Sequence, residues 1–411
     1  MEELLSPTQK RIAIVVRSLW ASTGIAKVAI GEAISFVQLG YIVDLIFLRR
    51  LNGWNLYGHL LDMAKQAGVN VTVLSDGSGQ NGKRFRKSFN YWITRPFSPL
   101  PNSDAAIDLI SIIKCFFFLV KRDYHFVLFQ DQFIAINGLL IRFLHKKGYY
   151  VYLHDAIGGH FASGIANFFR IHLVEGPVLA HANSVFTNSK VTSDSIKGIV
   201  PPERITIAYL GSAFQLRSDL NTNRYARNRN IILVLTTWEA GRSPEWYLEV
   251  ARHLTIAKLL MVGKWKDSVL EASVKSLSKR FPYEGKVNIG GEVPEQDIEK
   301  YYQISSLYLR VGNSERGPGQ GVMEALSCGL PVVVNSGLGS AEIVHKYDCG
   351  LVLRGENASD MNPRNVAQLL ESLLIDDSTL QRFSDNCLNA AKEFSVKNHS
   401  SLIVKSMERW G

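Results

Sequence analysis

Cysteine is scarce and scattered. The 411-residue chain has four, Cys115, Cys328, Cys349 and Cys387, with no paired spacing. That excludes a disulfide framework and a paired-cysteine zinc site, and it fits a reducing compartment. Long apolar runs are missing too. A membrane span needs roughly 18 nearly uninterrupted apolar residues. The best stretch, Ala105 to Val120, contains Asp108 and Lys114 and reads as an apolar helix on or near a surface. Met1 to Lys10 has no basic start followed by an apolar run, so no secretory leader is expected. There is no sequence repeat, no low-complexity tract, no Asp-x-Asp metal motif and no nucleic-acid-binding motif. The apolar fraction of 46% against 20% charged excludes wholesale disorder.

What is present is a basic excess, unevenly placed. Residues 1–215 hold 22 Lys and Arg against 14 Asp and Glu, a net of +8. Residues 216–411 hold 24 against 23. An anionic partner for the first half is the expectation: a membrane surface, a phosphorylated acceptor or nucleic acid.

Arg11 to Val16 is a β-branched run that reads as a buried parallel strand. A glycine-bearing loop (Ser22, Thr23, Gly24), a helical pattern from Ile25 to Leu39 and a second strand, Tyr41 to Phe47, complete a βαβ unit. Further strands are expected at Val69–Leu74, His125–Gln130, Tyr149–His154, Ser184–Asn188 and Ile205–Ala208. Residues 219–230 (DLNTNRYARNRN) are polar and aperiodic, and read as a linker. A second α/β series opens at Ile231, with strands at Lys258–Val262, Lys286–Ile289, Leu307–Val311 and Pro331–Asn335. The expected fold class is therefore α/β, with two Rossmann-like doubly wound domains, 1–218 and 231–390, facing a cleft. Residues 391–411 are expected to form a C-terminal helix that packs back on the first domain.

The segment Ser314 to Val334, SERGPGQGVMEALSCGLPVVV, carries most of the chemistry. Gly317, Gly319 and Gly321 stand at the mouth of a short helix that holds Glu324, and Gly329-Leu330-Pro331 closes it. Backbone N–H groups at such a mouth suit a diphosphate, and a carboxylate further in can accept from ribose hydroxyls. Glycine richness alone also fits a packed helix entry without a ligand. The whole string resembles the donor-site signature of family 4 of the retaining nucleotide-sugar glycosyltransferases, which have the GT-B fold. Glu324-Ala325-Leu326-Ser327-Cys328-Gly329-Leu330-Pro331-Val332-Val333 matches its second half. The resemblance implies that Glu324 binds the donor ribose and that Gly317, Gly319, Gln320 and Gly321 lie along the donor. The family's first glutamate falls on Arg316, with Glu315 one place before it. Either Glu315 takes that role or Arg316 does something different.

The rest of the resemblance is looser. Thr236 to Pro244 is similar to the family segment that supplies two cations to the diphosphate. Arg242 fits the second position, whereas Thr237 stands at the first and lacks a charge. Arg316, beside the glycine loop, is the candidate to compensate. Val293 falls where the family grips the base, and Gly24 remains from its first glycine loop. Gly339-Ser340-Ala341-Glu342-Ile343-Val344 resembles a structural turn. His154, in Tyr152-Leu153-His154-Asp155 at a strand end, resembles the histidine that approaches the donor sugar. By itself it reads rather as a core histidine capping a strand end. His160 could line the acceptor side.

The resemblance implies a retaining transfer of a hexosyl group from a UDP- or GDP-sugar to a saccharide or lipid-linked saccharide, without a metal or other cofactor. The first domain would take the acceptor and the second the donor. Arg242, Arg316 and the glycine loops would stabilise the leaving diphosphate, and the leaving phosphate would take the acceptor proton on the same face. Lys83, Arg84, Arg86 and Lys87, with Phe89, Tyr91, Trp92 and Arg95 beside them, interleave basic and aromatic residues. They suit an anionic bilayer, an RNA or a solvated loop. A cytoplasmic location, peripheral on the membrane, is the expectation, with no nucleic-acid partner. The readings that compete are a GT-B sugar-nucleotide epimerase and a catalytically weak GT-B partner subunit.

Overall fold

The computed structural model describes residues 9–19, 24–51, 54–76, 109–155, 157, 171–212, 230–313 and 317–411. The chain divides into two units, one of Met1–Tyr209 with Val396–Gly411, the other of Leu210–Ser395. The expected linker, apart from Asn230, lies outside the described residues. No boundary falls at 390: the Asp377–Glu393 helix runs through it with Ala390 and Ala391 buried, and the chain passes to the first unit only after Ser395.

Unit 1 is built on seven strands: β1 (Arg11–Leu19), β2 (Ile42–Arg50), β3 (Asn70–Val73), β4 (Phe126–Phe129), β5 (Tyr150–Leu153), β6 (Ser184–Thr187) and β7 (Ile205–Ile207). They lie in the order β3-β2-β1-β4-β5-β6-β7, and every pairing is parallel. Ile12 through Val16 are fully buried, because helices cover both faces of such a sheet and leave no polar side for alternation. The Gly24–Gln38 helix buries an unbroken run from Ala26 to Phe36. It ends at Gly40, whose φ of +93° only glycine adopts freely, and Ile42 then starts β2 in register with Arg11.

The apolar helix forms as Leu109–Val120. Ser111, Cys115 and Leu119 are buried, while Ile110, Ile113 and Phe117 are about half exposed. One face therefore seals the core and the other faces solvent. Among the described residues no helix is long and apolar enough to cross a membrane.

The Val396–Trp410 helix is fastened to unit 1 by groups that are far apart in sequence. Tyr41 donates its hydroxyl to Glu408 at 2.7 Å, Tyr150 to the Met407 carbonyl at 2.8 Å, and Asn183 donates to the Trp410 carbonyl at 2.6 Å. Ile403 and Met407 on this helix are fully buried.

Unit 2 repeats the scheme with six parallel strands: β8 (Ile231–Leu235), β9 (Lys258–Val262), β10 (Val287–Ile289), β11 (Leu307–Arg310), β12 (Val332–Asn335) and β13 (Gly350–Leu353). Their order is β10-β9-β8-β11-β12-β13. In both sheets the order reverses beside the first strand, at β1/β4 and at β8/β11. In such sheets the loops leaving the carboxyl ends of the strands at a switch point diverge, and that is the usual ligand position.

Candidate active site

The loops at the β8/β11 switch point of unit 2 hold most of the residues singled out above. β8 leads into Thr237, half-buried, and then into a single 3-10 turn, Ala240–Arg242. Ser243 follows with φ +50° and is braced by Asn313 Nδ2, 3.3 Å from its Oγ. Asn313 Oδ1 also accepts from the Ala358 N–H at 3.1 Å, so the loops after β8, β11 and β13 are tied together. Arg242 is 22% exposed, with its Nε 3.7 Å from Glu239 Oε1. The same Glu239 receives Lys266 Nζ at 2.7 Å on its other oxygen.

Lys266 arrives there through the loop after β9. Trp238 and Trp265 stack at 5.3 Å with 20° between their planes. The Trp238 N–H donates to the Lys264 carbonyl and the Lys266 N–H to the Trp238 carbonyl. Only glycine permits this approach, since a Cβ on Gly263 would lie 1.8 Å from the Thr236 carbonyl oxygen. Lys264 in turn sits 3.3 Å from Glu292, beside the half-buried Val293 in the loop after β10. Lys264 and Lys266 have no counterpart among the residues expected from the sequence to line the site. Their signal was two lysines directly after a buried strand, in a loop parallel to the one holding Arg242.

β11 leads into the glycine-rich loop. Gly317 and Gly319 are described and Gly319 has φ +73°, which turns the chain into the Gln320–Ser327 helix. Gln320 Nε2 donates to the Gly211 carbonyl at 3.3 Å. Gly321 has no room for a side chain: a Cβ there would meet Tyr308 Oη at 2.4 Å. The missing atom lets the tyrosine of β11 pack under the helix entry. Glu324, one turn in, is only 3% exposed, and its Oε2 accepts from the Tyr302 hydroxyl at 2.9 Å. Burial, reinforced by the Glu324 charge, drives the Tyr302 phenol well above its ordinary pKa, so it stays protonated and remains a donor. Glu315 and Arg316 lie outside the described residues.

In unit 1, Gly24 is the first residue of its helix and is exposed. Ser22, Thr23, Gly158, Gly159, His160 and the basic segment Lys83 to Arg95 lie outside the described residues. His154 directly follows β5. Its backbone carbonyl accepts from Asn188 Nδ2 at 2.7 Å, and its ring packs 4.7 Å from that of Tyr152. Its Nε2 is 2.9 Å from Gln130 Oε1. Burial first, then His399 and Arg17, push its pKa down to about 3, so the ring is neutral. Nearby, Arg17 of β1 pairs with Asp131, which follows β4, at the switch point of this sheet.

Two parallel sheets, each with the reversed strand order and with its polar groups at the carboxyl strand ends, define a GT-B glycosyltransferase fold. Comparison with solved structures agrees. Anabaena HepE, in complex with UDP and glucose, has a TM-score of 0.71 at 15% identity, over 98% of this chain and 100% of that one. Sucrose-phosphate synthase from Thermosynechococcus elongatus has 0.68 at 14% identity, over 98% and 99%. Residues 221–389 match the family described as Glycosyl transferases group 1. The O-antigen chain mannosyltransferase B of Escherichia coli is 32% identical over 142 residues, 34% of this chain. The match spans 34% of that relative's length, about a third.

Proposed function

We propose that the protein is a retaining glycosyltransferase that moves a hexosyl group from a nucleotide-sugar to a saccharide or lipid-linked saccharide. The observation that carries this reading is the β8/β11 crevice. There a glycine-opened helix mouth (Gly317, Gly319, Gln320, Gly321), a buried carboxylate one turn further in (Glu324) and a cation on the facing loop (Arg242) occur together. These are the three groups a nucleoside diphosphate needs: N–H donors, a ribose acceptor and a counter-charge.

The chemistry follows from charge. As the anomeric C–O bond breaks, negative charge grows on the diphosphate. Arg242, Arg316 and the backbone N–H groups of the helix mouth stabilise that charge. The leaving phosphate oxygen then accepts the proton of the attacking acceptor hydroxyl on the same face, which retains configuration. Glu324 holds the ribose, Val293 borders the base, Thr237 and Gly24 border the diphosphate, and His154 serves the sugar. Glu315 or Arg316 reads the sugar hydroxyls. No metal or other cofactor takes part in this scheme.

The basic first half and the exposed face of the Leu109–Val120 helix support an acceptor carried on an anionic membrane, with the protein peripheral on its cytoplasmic side. The Escherichia coli relative is a mannosyltransferase and the HepE crystals hold UDP and glucose. The test therefore spans both chemistries: thermal shift against UDP, GDP and ADP and their glucose and mannose conjugates, followed by transfer to lipid-linked and soluble glycans. A selective rise in melting temperature, by mass action, with transfer of that sugar, is expected. Turnover of the sugar-nucleotide without any acceptor would make the protein an epimerase. Absence of both binding and turnover would make it a partner subunit, the reading that Thr237, uncharged at a cationic position, favours.

A further inference from the structure

A buried chain of hydrogen bonds runs through unit 1 from the C-terminal helix to the end of β5. His399 belongs to the Val396–Trp410 helix and Glu32 to the Gly24–Gln38 helix, while Gln130 follows β4 and His154 follows β5. His399 Nδ1 lies 2.8 Å from the Tyr209 carbonyl, and its Nε2 lies 2.6 Å from Glu32 Oε1. Glu32 Oε2 accepts from Gln130 Nε2, and Gln130 Oε1 lies 2.9 Å from His154 Nε2. Exposure is 4% at His399, 1% at Glu32 and 0% at Gln130, so water does not compete for these bonds.

Donor and acceptor counting gives the chain a direction. The Tyr209 carbonyl can only accept, so His399 carries a proton on Nδ1. One further proton is shared between His399 Nε2 and Glu32 Oε1. Wherever it sits, Oε2 remains an acceptor. An amide can ordinarily be turned either way, but a carboxylate oxygen facing Gln130 demands its N–H side. The Gln130 oxygen is thereby turned toward His154. Oxygen only accepts, so the neutral His154 ring must carry its proton on Nε2. Nδ1 is left with a lone pair, and no hydrogen bond to it is found among the described residues.

We propose that His399, Glu32 and Gln130 are positioning residues that fix His154 in its Nε2–H tautomer and so present Nδ1 as an acceptor for a hydroxyl of the donor sugar. The inference deepens the reading of His154 as the sugar-side residue and rests on it. A purely structural role explains the chain poorly. A buried ion pair is frequently replaceable by apolar side chains at no loss of stability, whereas a single tautomer requires each of these polar groups. The tautomer also sets specificity: a sugar position offering O–H is favoured, and one with fluorine or hydrogen there loses a bond.

The test reads tautomer and turnover separately. In 15N-histidine-labelled full-length protein without ligand, long-range 1H–15N correlation should show His154 protonated at Nε2 only. A ring protonated at Nδ1, or an imidazolium at neutral pH, would overturn the proposal outright and needs no variant. Gln130→Leu should release the ring into a mixture of tautomers. His399→Ala, which does not touch His154, should shift the same resonances, and His399→Gln, which keeps a donor toward Glu32, should restore them. Unmoved His154 resonances in both Gln130→Leu and His399→Ala would also overturn it. With a working donor, Gln130→Leu should lower kcat by up to about a hundredfold, the scale of a misplaced positioning group, with nucleotide affinity unchanged. Shifted resonances with unchanged kcat would instead overturn the assignment of His154 to the sugar, leaving the tautomer relay in place. Melting curves on each variant separate these outcomes from unfolding.

Discussion

Tyr302 donates its hydroxyl to Glu324 Oε2 at 2.9 Å, with both side chains almost wholly out of water. The carboxylate assigned to the donor ribose is thus held from beneath by a tyrosine of the neighbouring Glu295–Ile304 helix. That contact decides which substitution reports on function. Glu324→Ala removes the ribose acceptor and also strands a buried phenol, at about 1–3 kcal/mol of stability. Glu324→Gln keeps an acceptor for Tyr302. It should melt close to wild type while donor affinity falls about ten- to hundredfold, the scale of a lost charge-assisted hydrogen bond of about 1.5–3 kcal/mol. Calorimetric titration of the nucleotide checks it, and wild-type affinity in Glu324→Gln would remove Glu324 from the donor site.

Arg242 stands on the loop after β8, Arg316 follows β11 in the sequence, and both are assigned to one diphosphate. Two cations acting on one group couple, so Arg242→Ala with Arg316→Ala should cost less than the two single losses combined. Strict additivity in nucleotide titrations would place Arg316 elsewhere. Lys266 gives a second check on the same charge. It is bound to Glu239, whose other oxygen lies 3.7 Å from Arg242. Lys266→Met should leave Glu239 to draw on Arg242 alone and weaken diphosphate binding severalfold, with little effect on the free nucleoside.

His154 is half-buried and neutral, with a folded pKa of about 3 against an unfolded value of 6.5. Between those values the unfolded chain binds a proton that the folded one refuses. Stability therefore falls as pH drops from about 6.5 toward 3, and this contribution is fully present above that window. Denaturant midpoints for wild type and His154→Asn, at pH 7 and pH 5, test it. The wild type should lose more on acidification than the variant, and equal losses would mean that His154 titrates in the folded protein much as it does in water.

The Leu109–Val120 helix exposes Ile110, Ile113 and Phe117 on one side. Together with the basic excess of residues 1–215, this predicts binding to anionic vesicles that weakens with salt. Sedimentation with phosphatidylglycerol vesicles at low and high salt is the measurement. Phe117→Ser with Ile113→Ser should reduce the bound fraction and leave nucleotide binding unchanged. Wild-type protein that stays in solution at low salt would make the exposed face a site for something other than a bilayer.

The strands were legible because a parallel sheet covered on both faces favours apolar side chains, and RIAIVV and IILVL are short apolar runs of that kind. The observed strand ends fall within a few residues of the expected ones, and β13, opened by Gly350 and less fully buried, is the strand that went unread. The helix mouth around Gly319 and Gly321 was legible for a related reason: a turn with positive φ, or a backbone pressed against Tyr308, tolerates glycine and little else. The pairing of Lys264 and Lys266 with glutamates of neighbouring loops was not legible because a lysine's partner is set in space, and only the pairing of Trp238 with Trp265 shows which loop faces which. The chain from His399 through Glu32 and Gln130 to His154 joins residues 367 and 98 positions apart along its first two links. No local periodicity or spacing marks such residues, because a hydrogen bond acts over about 3 Å of space, and only the folded sheet, with the last helix returned against the first, brings them within that distance.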